Sequence, residues 1–164
     1  MSVERLRSGE LIAGGSATAL LIFLFAPEWY SLKGTLAPTA TILGARSSWN
    51  GWWGLAGARY LILVTIAVAL ALVYFQAAQR APALPVALSA IVTVLGGASV
   101  IALIYRVLAG PPSGGSLLDT QVGPYLGLVV AAGIAYGGFR SLREESGADP
   151  AALEIETVTL PGQT

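Results

Sequence analysis

The chain has 164 residues, 55% of them hydrophobic and only 11% charged, and its nine basic residues balance nine acidic ones. A soluble domain carries about 25% charged residues, so this composition belongs in a membrane, and zero net charge offers nucleic acid no basic surface. With no Cys and no His, the chain has no disulfides, Cys/His zinc sites, thiol nucleophiles, His-ligated haem or imidazole acid–base catalysis.

Four apolar stretches dominate, at residues 9–27, 58–78, 85–108 and 122–140. Each approaches or exceeds the ~20 apolar residues that cross a bilayer core. The expected fold is an all-α membrane protein: an antiparallel four-transmembrane-helix bundle with a longer first outer loop, filling residues 1–143. Residues 144–164 read as an acidic, disordered cytoplasmic tail, in which Leu153–Leu160 alternates enough to offer a strand to a partner.

The first helix follows Ser8-Gly9-Glu10 and stops at Pro27, whose ring disfavours a continuing helix. Arg5, Arg7, the apolar Leu20–Phe25 and Ala17-Thr18-Ala19 imitate a cleaved signal peptide. The small-residue motif lies inside the apolar run rather than after it, so the helix is expected to be retained. The glycine-rich connection 28–57 follows, with a small strand pair expected around Thr39–Leu43 and a short interfacial helix over Ser47–Leu55.

The second and third helices are joined through Pro82 and Pro85, a connection short enough to make them an antiparallel hairpin. A third helix of 24 residues measures ~36 Å, which exceeds a ~30 Å core and calls for tilt. Ser113–Thr120 reads as a short polar turn, and Pro124 suits the first turn of the fourth helix.

Basic residues near helix ends set orientation. Arg5, Arg7, Arg80, Arg140 and Arg143 fall on one side. Lys33 and Arg46 fall on the other, once Arg59 and Arg106 are set aside as end-turn residues that snorkel to headgroups. Both termini are therefore expected in the cytoplasm. All four tryptophans, Trp29, Trp49, Trp52 and Trp53, fall on the outer side, joined there by Tyr30, Tyr60, Tyr105 and Tyr125. Such rings anchor at interfaces, apolar at one end and hydrogen-bonding at the other. Trp29, Tyr30, Trp49, Trp52, Trp53, Arg59, Arg106 and Asp119 form the candidate outer interaction surface. A loop lying flat as a simple anchor is the plainer reading of the same rings.

Within the membrane, small residues recur at four-residue spacing, which lets backbones approach. Gly14, Gly97, Gly127 and Gly133 are the expected helix-packing positions. Glu28–Arg59 and Arg106–Asp119 are candidate ion pairs at the outer edge. Around Ala19, Ala67, Gly97 and Ala131 there is no ionisable or amide side chain, although proton relays and voltage sensors need such groups at this depth.

Gly9-Glu10 leads a helix that ends Leu24-Phe25-Ala26-Pro27-Glu28-Trp29-Tyr30. Ser48-Trp49 follows in the loop. The last helix opens Gly123-Pro124-Tyr125-Leu126 and closes Phe139-Arg140-Ser141-Leu142-Arg143. In this order the motifs resemble a family of small, functionally uncharacterised four-helix membrane proteins of actinobacterial type. That family's first motif reads more like Leu-Pro-Trp-Tyr, from which Ala26 and Glu28 depart. The resemblance spans residues 5–145 and implies a four-helix fold but no reaction. The layout alone is also similar to claudin and myelin-protein tetraspans, which carry two cysteines beside their loop Trp motif.

The resulting expectation is a non-enzymatic, multi-pass protein of a bacterial plasma membrane, with no catalytic, cofactor-binding or metal-ligating residue. Its outer loop and tail contact membrane lipid, a protein partner or a second copy in a homo-oligomer, and no nucleic acid. The alternative is a small transporter or an accessory subunit of a membrane-embedded enzyme or transport complex, which a stoichiometric partner after mild detergent extraction distinguishes.

Overall fold

The computed structural model describes residues 8–78, 84–109 and 117–146. In chain order the elements are α1 (Ser8–Phe25), β1 (Glu28–Leu32), α2 (Leu36–Ile42), β2 (Ser48–Asn50), α3 (Gly51–Gly54), α4 (Ala58–Ala78), α5 (Leu84–Ala109), β3 (Leu118–Thr120) and α6 (Gly123–Ser146). The chain is mostly helical. α1, α4, α5 and α6 are each long and apolar enough to cross a membrane, which fits a multi-pass membrane protein.

α1 packs on α4 and α6, and α5 packs on the same two helices, so the contacts close a ring. Its centre holds Ala13, Ala17, Leu20, Ile62, Ile66, Ala69, Val92, Leu103, Ala131 and Ile134. Large apolar side chains such as Ile22, Val94, Ile101 and Val129 point away from it and are exposed. Lipid gives apolar helices no hydrophobic reason to associate, so close packing and hydrogen bonds between helices must hold the ring.

Small residues make that packing possible. A Cβ on Gly137 would lie 2.5 Å from the Ala13 amide nitrogen, and one on Gly9 would lie 2.5 Å from that of Ser141. The α1 and α6 backbones are therefore in direct contact. Gly133 meets Ser16 in the same seam. Gly96 and Gly138 let α5 approach α6, against the backbones of Ala135 and Thr93 respectively. Hydroxyls add polar ties: Thr65 to Ser99 at 2.8 Å between α4 and α5, and Ser89 to Ser141 at 3.1 Å between α5 and α6.

Several expectations are corrected here. Gly97 is not a packing position, because a Cβ there meets open space; the close approach belongs to Gly96. Gly14 meets the side chain of Val73 on the neighbouring α4, whereas Gly127 packs on the Trp29 indole rather than on another helix. The last helix does not end at Arg140 but runs to Ser146. No Gly or Pro interrupts residues 140–146, and Arg140 bonds Glu144 one turn on at 2.9 Å. The first helix stops at Phe25 instead of Pro27. The remainder of the tail, including Leu153–Leu160, lies outside the described residues.

The largest departure from an all-α fold is at one end of the helices. β1 pairs with both β2 and β3 in an antiparallel sheet of order β2-β1-β3. The connection from α1 to α4 supplies β1 and β2, and the connection from α5 to α6 supplies β3, so the sheet joins the two. Thr39–Leu43 is not a strand; most of it belongs to α2. The expected helix over Ser47–Leu55 is split into β2 and the single turn α3. The turn Ser113–Thr120 gives β3 from Leu118 onward.

Candidate functional site

The sheet end gathers the residues that the sequence marks out, and Trp29 organises it. Pro27 has no N–H, so the Phe23 carbonyl four residues earlier has no intrahelical donor. The Trp29 indole Nε1 donates to that oxygen at 2.7 Å. The ring then fills a cage that only glycines leave open: a Cβ at Gly51 would sit 2.6 Å from it, one at Gly127 2.7 Å, and Gly123 touches it as closely. α1, α3 and α6 therefore meet on one side chain.

Register explains why its neighbour is buried too. Glu28 faces Asn50 and Tyr30 faces Trp49, so β1 carries one residue more than β2 between these pairs. Alternation would send Trp29 and Tyr30 to opposite faces, and a bulge breaks alternation. Both are buried, which removes them from the expected outer surface. The Tyr30 ring lies on Gly54, where a Cβ would come within 2.6 Å, and its hydroxyl has no hydrogen-bond partner among the described residues. Burial pushes that hydroxyl above its ordinary value of 10.0, and the positive charge of Arg106 acts in the opposite direction.

α3 is the hub for two arginines. Asn50 caps its start, accepting from the Trp53 amide, and donates from its other atom to the Phe25 carbonyl at the end of α1. At the far end of the turn, Arg59 donates to the Trp52 carbonyl and Arg106 to the Leu55 carbonyl, each at 3.3 Å. A guanidinium is favoured near the carbonyls that close a helical turn. The Arg59 guanidinium also lies 4.9 Å from the ring centres of both Trp52 and Tyr60, a cation–π arrangement on two rings. Trp52 stacks on Phe25 in turn.

The expected ion pairs do not form. Asp119 lies 3.7 Å from Lys33 instead of pairing with Arg106, and Glu28 accepts from Ser48 at 2.8 Å instead of pairing with Arg59. Of the candidate surface, Trp53 is exposed beneath Arg46, Trp49 and Trp52 are half-buried, and Asp119 is exposed. A shallow groove of about 280 Å³ runs between Pro27, Glu28, Arg46, Asn50 and Trp53. Glu28 is the one carboxylate among its lining residues, so the groove lacks the paired carboxylates that most glycoside hydrolases use. Among the described residues, no three acidic side chains converge as metal ligands would.

Sequence reasoning missed α2. None of its residues is buried, and Ile42 and the adjoining Leu43 are 84% and 77% exposed. The available signal was the apolar run Thr39–Leu43 itself, assigned to a strand because β-branched residues favour strands. It also missed the Trp29 cage, whose glycines lie more than 20 and more than 90 residues away. Compared with known proteins, the chain matches no family model, no curated protein and no solved structure.

Proposed function

We propose that this chain is a non-enzymatic membrane protein of a bacterial plasma membrane, whose sheet end contacts lipid or a partner protein on the outer side. In this reading the four spans form an antiparallel bundle with both termini in the cytoplasm. The arginine distribution supports that orientation. The observation that carries the contact role is the apolar surface of α2 and α3. Ile42 and Leu43 at the end of α2 and Trp53 of α3 are largely exposed, with Arg46 lying over the Trp53 ring. A soluble protein rarely leaves such a surface uncovered, and headgroups with their acyl boundary would cover it.

Benzophenone side chains at Ile42 and Leu43, in vesicles, test the reading. Adducts with lipid or with one defined protein support it. Quenching by water without adducts would sink it. Orientation follows from single cysteines at Thr41 and Ser8 in this cysteine-free chain: they should label from opposite sides, Thr41 from outside.

A further inference from the structure

We infer that Arg59 and Arg106 form a selective site for the phosphate of an anionic phospholipid, at the sheet end of the α4–α5 face. The inference rests on the proposed lipid contact of that end and names the lipid class.

Three observations converge. First, both guanidiniums are tied to the same single turn, through the Trp52 and Leu55 carbonyls, and among the described residues neither is paired with a carboxylate. Lys33 takes Asp119, and Glu28 is held by Ser48. Two half-buried positive charges are thus left without a counter-ion from the described residues. Second, each retains donors. A guanidinium has five N–H groups. Arg59 uses one terminal nitrogen on Trp52 and the other on the Tyr60 hydroxyl, while its Nε is buried and has no partner among the described residues. Arg106 bonds through one nitrogen. Third, the Tyr30 hydroxyl is a buried donor, 1% exposed and without a partner among the described residues, on a ring that lies against Gly54 of the same turn. Buried polar groups are normally satisfied, so orphan donors clustered with uncompensated charge mark a place for an acceptor anion.

The surroundings select a lipid over a free ion. Below Arg59 on α4, Tyr60 and Val64 are exposed; before Arg106 on α5, Ile101, Ile104 and Tyr105 are exposed. These side chains offer an acyl surface beneath the charges. The Trp52 and Tyr60 rings fix the Arg59 head before a ligand arrives, which lowers the ordering cost of binding. Snorkelling arginines with no built site attract anionic headgroups diffusely, whereas here the preference depends on two particular arginines.

The test is native mass spectrometry of the full chain in neutral detergent with equimolar phosphatidylglycerol and phosphatidylcholine. Wild type is expected to retain phosphatidylglycerol about tenfold better, a ratio worth ~1.4 kcal/mol. Arg59→Gln and Arg106→Gln should each reduce the preference, and the pair together should abolish it. Arg143→Gln, an arginine in the last turn of α6 at the opposite end of the helices, should leave it intact. The single variants serve if the double variant does not fold. Equal retention of the two lipids by wild type, or undiminished selectivity in both single variants, overturns the inference. Inorganic phosphate in excess should not displace the lipid; displacement would mean a water-soluble anion and also overturns it. Failure of the underlying contact reading looks different: the chain would then retain neither lipid, and Ile42 would capture neither lipid nor protein.

Discussion

The indole of Trp29 occupies the hydrogen-bonding place that Pro27 leaves vacant, donating to the Phe23 carbonyl at 2.7 Å. A residue that ends a helix and the residue that repairs the end are thus two positions apart. Trp29→Phe keeps most of the ring and removes the donor, leaving a carbonyl unsatisfied, at a cost of about 1–3 kcal/mol. Trp29→Ala also empties the glycine cage and is expected to cost about 3–5 kcal/mol. Thermal unfolding in detergent should rank wild type above Trp29→Phe, and Trp29→Phe above Trp29→Ala. Equal stability of all three would refute a central role for this ring.

Adjacent glycines on α5 separate a seam from its surroundings. Gly96→Ala drives a methyl into the Ala135 backbone at 2.8 Å, which cannot yield as a flexible side chain does. Overpacking of this kind costs about 1–3 kcal/mol. Gly97→Ala meets nothing and gains helix propensity, so it should be neutral or slightly stabilising. Melting curves for the two variants check this directly; equal losses would place Gly97 in the seam after all.

The Gly96–Gly97 pair also shows what a sequence can and cannot disclose. Long charge-free runs marked the spans to within a few residues, because insertion depends on local composition. The choice between neighbouring glycines depends on which faces α6, and spacing alone does not contain that. The sheet was harder still. β2 and β3 are three residues each, and Tyr30 meets Trp49 and Thr120, one near in sequence and one 90 residues away. Short strands carry almost no periodicity. Trp29 and Tyr30 read as interface anchors because that is where such rings collect, and only the bulge turns both inward.

Between α4 and α5, the Thr65 hydroxyl shares a hydrogen bond with Ser99 and reaches the Leu95 carbonyl. A double-mutant cycle of Thr65→Val and Ser99→Ala isolates the pair. Its coupling energy is expected near ~0.6 kcal/mol, the scale of hydrogen bonds between membrane helices. Strict additivity would show that each hydroxyl is satisfied by its own helix instead.

Tyr30 predicts an alkaline limit to stability. Its folded-state pKa is raised above 10.0 by burial, so the folded chain holds this proton more tightly than the unfolded chain. The stability linked to it is complete below the unfolded value near 10 and falls as pH rises through the folded one. Tyr30→Phe removes the titrating group. Unfolding measured at about pH 9 and about pH 11 should therefore show a smaller alkaline loss in Tyr30→Phe than in wild type. Phenolate absorbance adds a second reading: Tyr30 should ionise late, above its ordinary value of 10.0, and Tyr30→Phe should delete that late step. Anion binding beside Arg106 would mask the charge that favours phenolate, so phosphatidylglycerol should push the late step higher still. An identical alkaline loss in both proteins, with no late step, would mean that the hydroxyl reaches water.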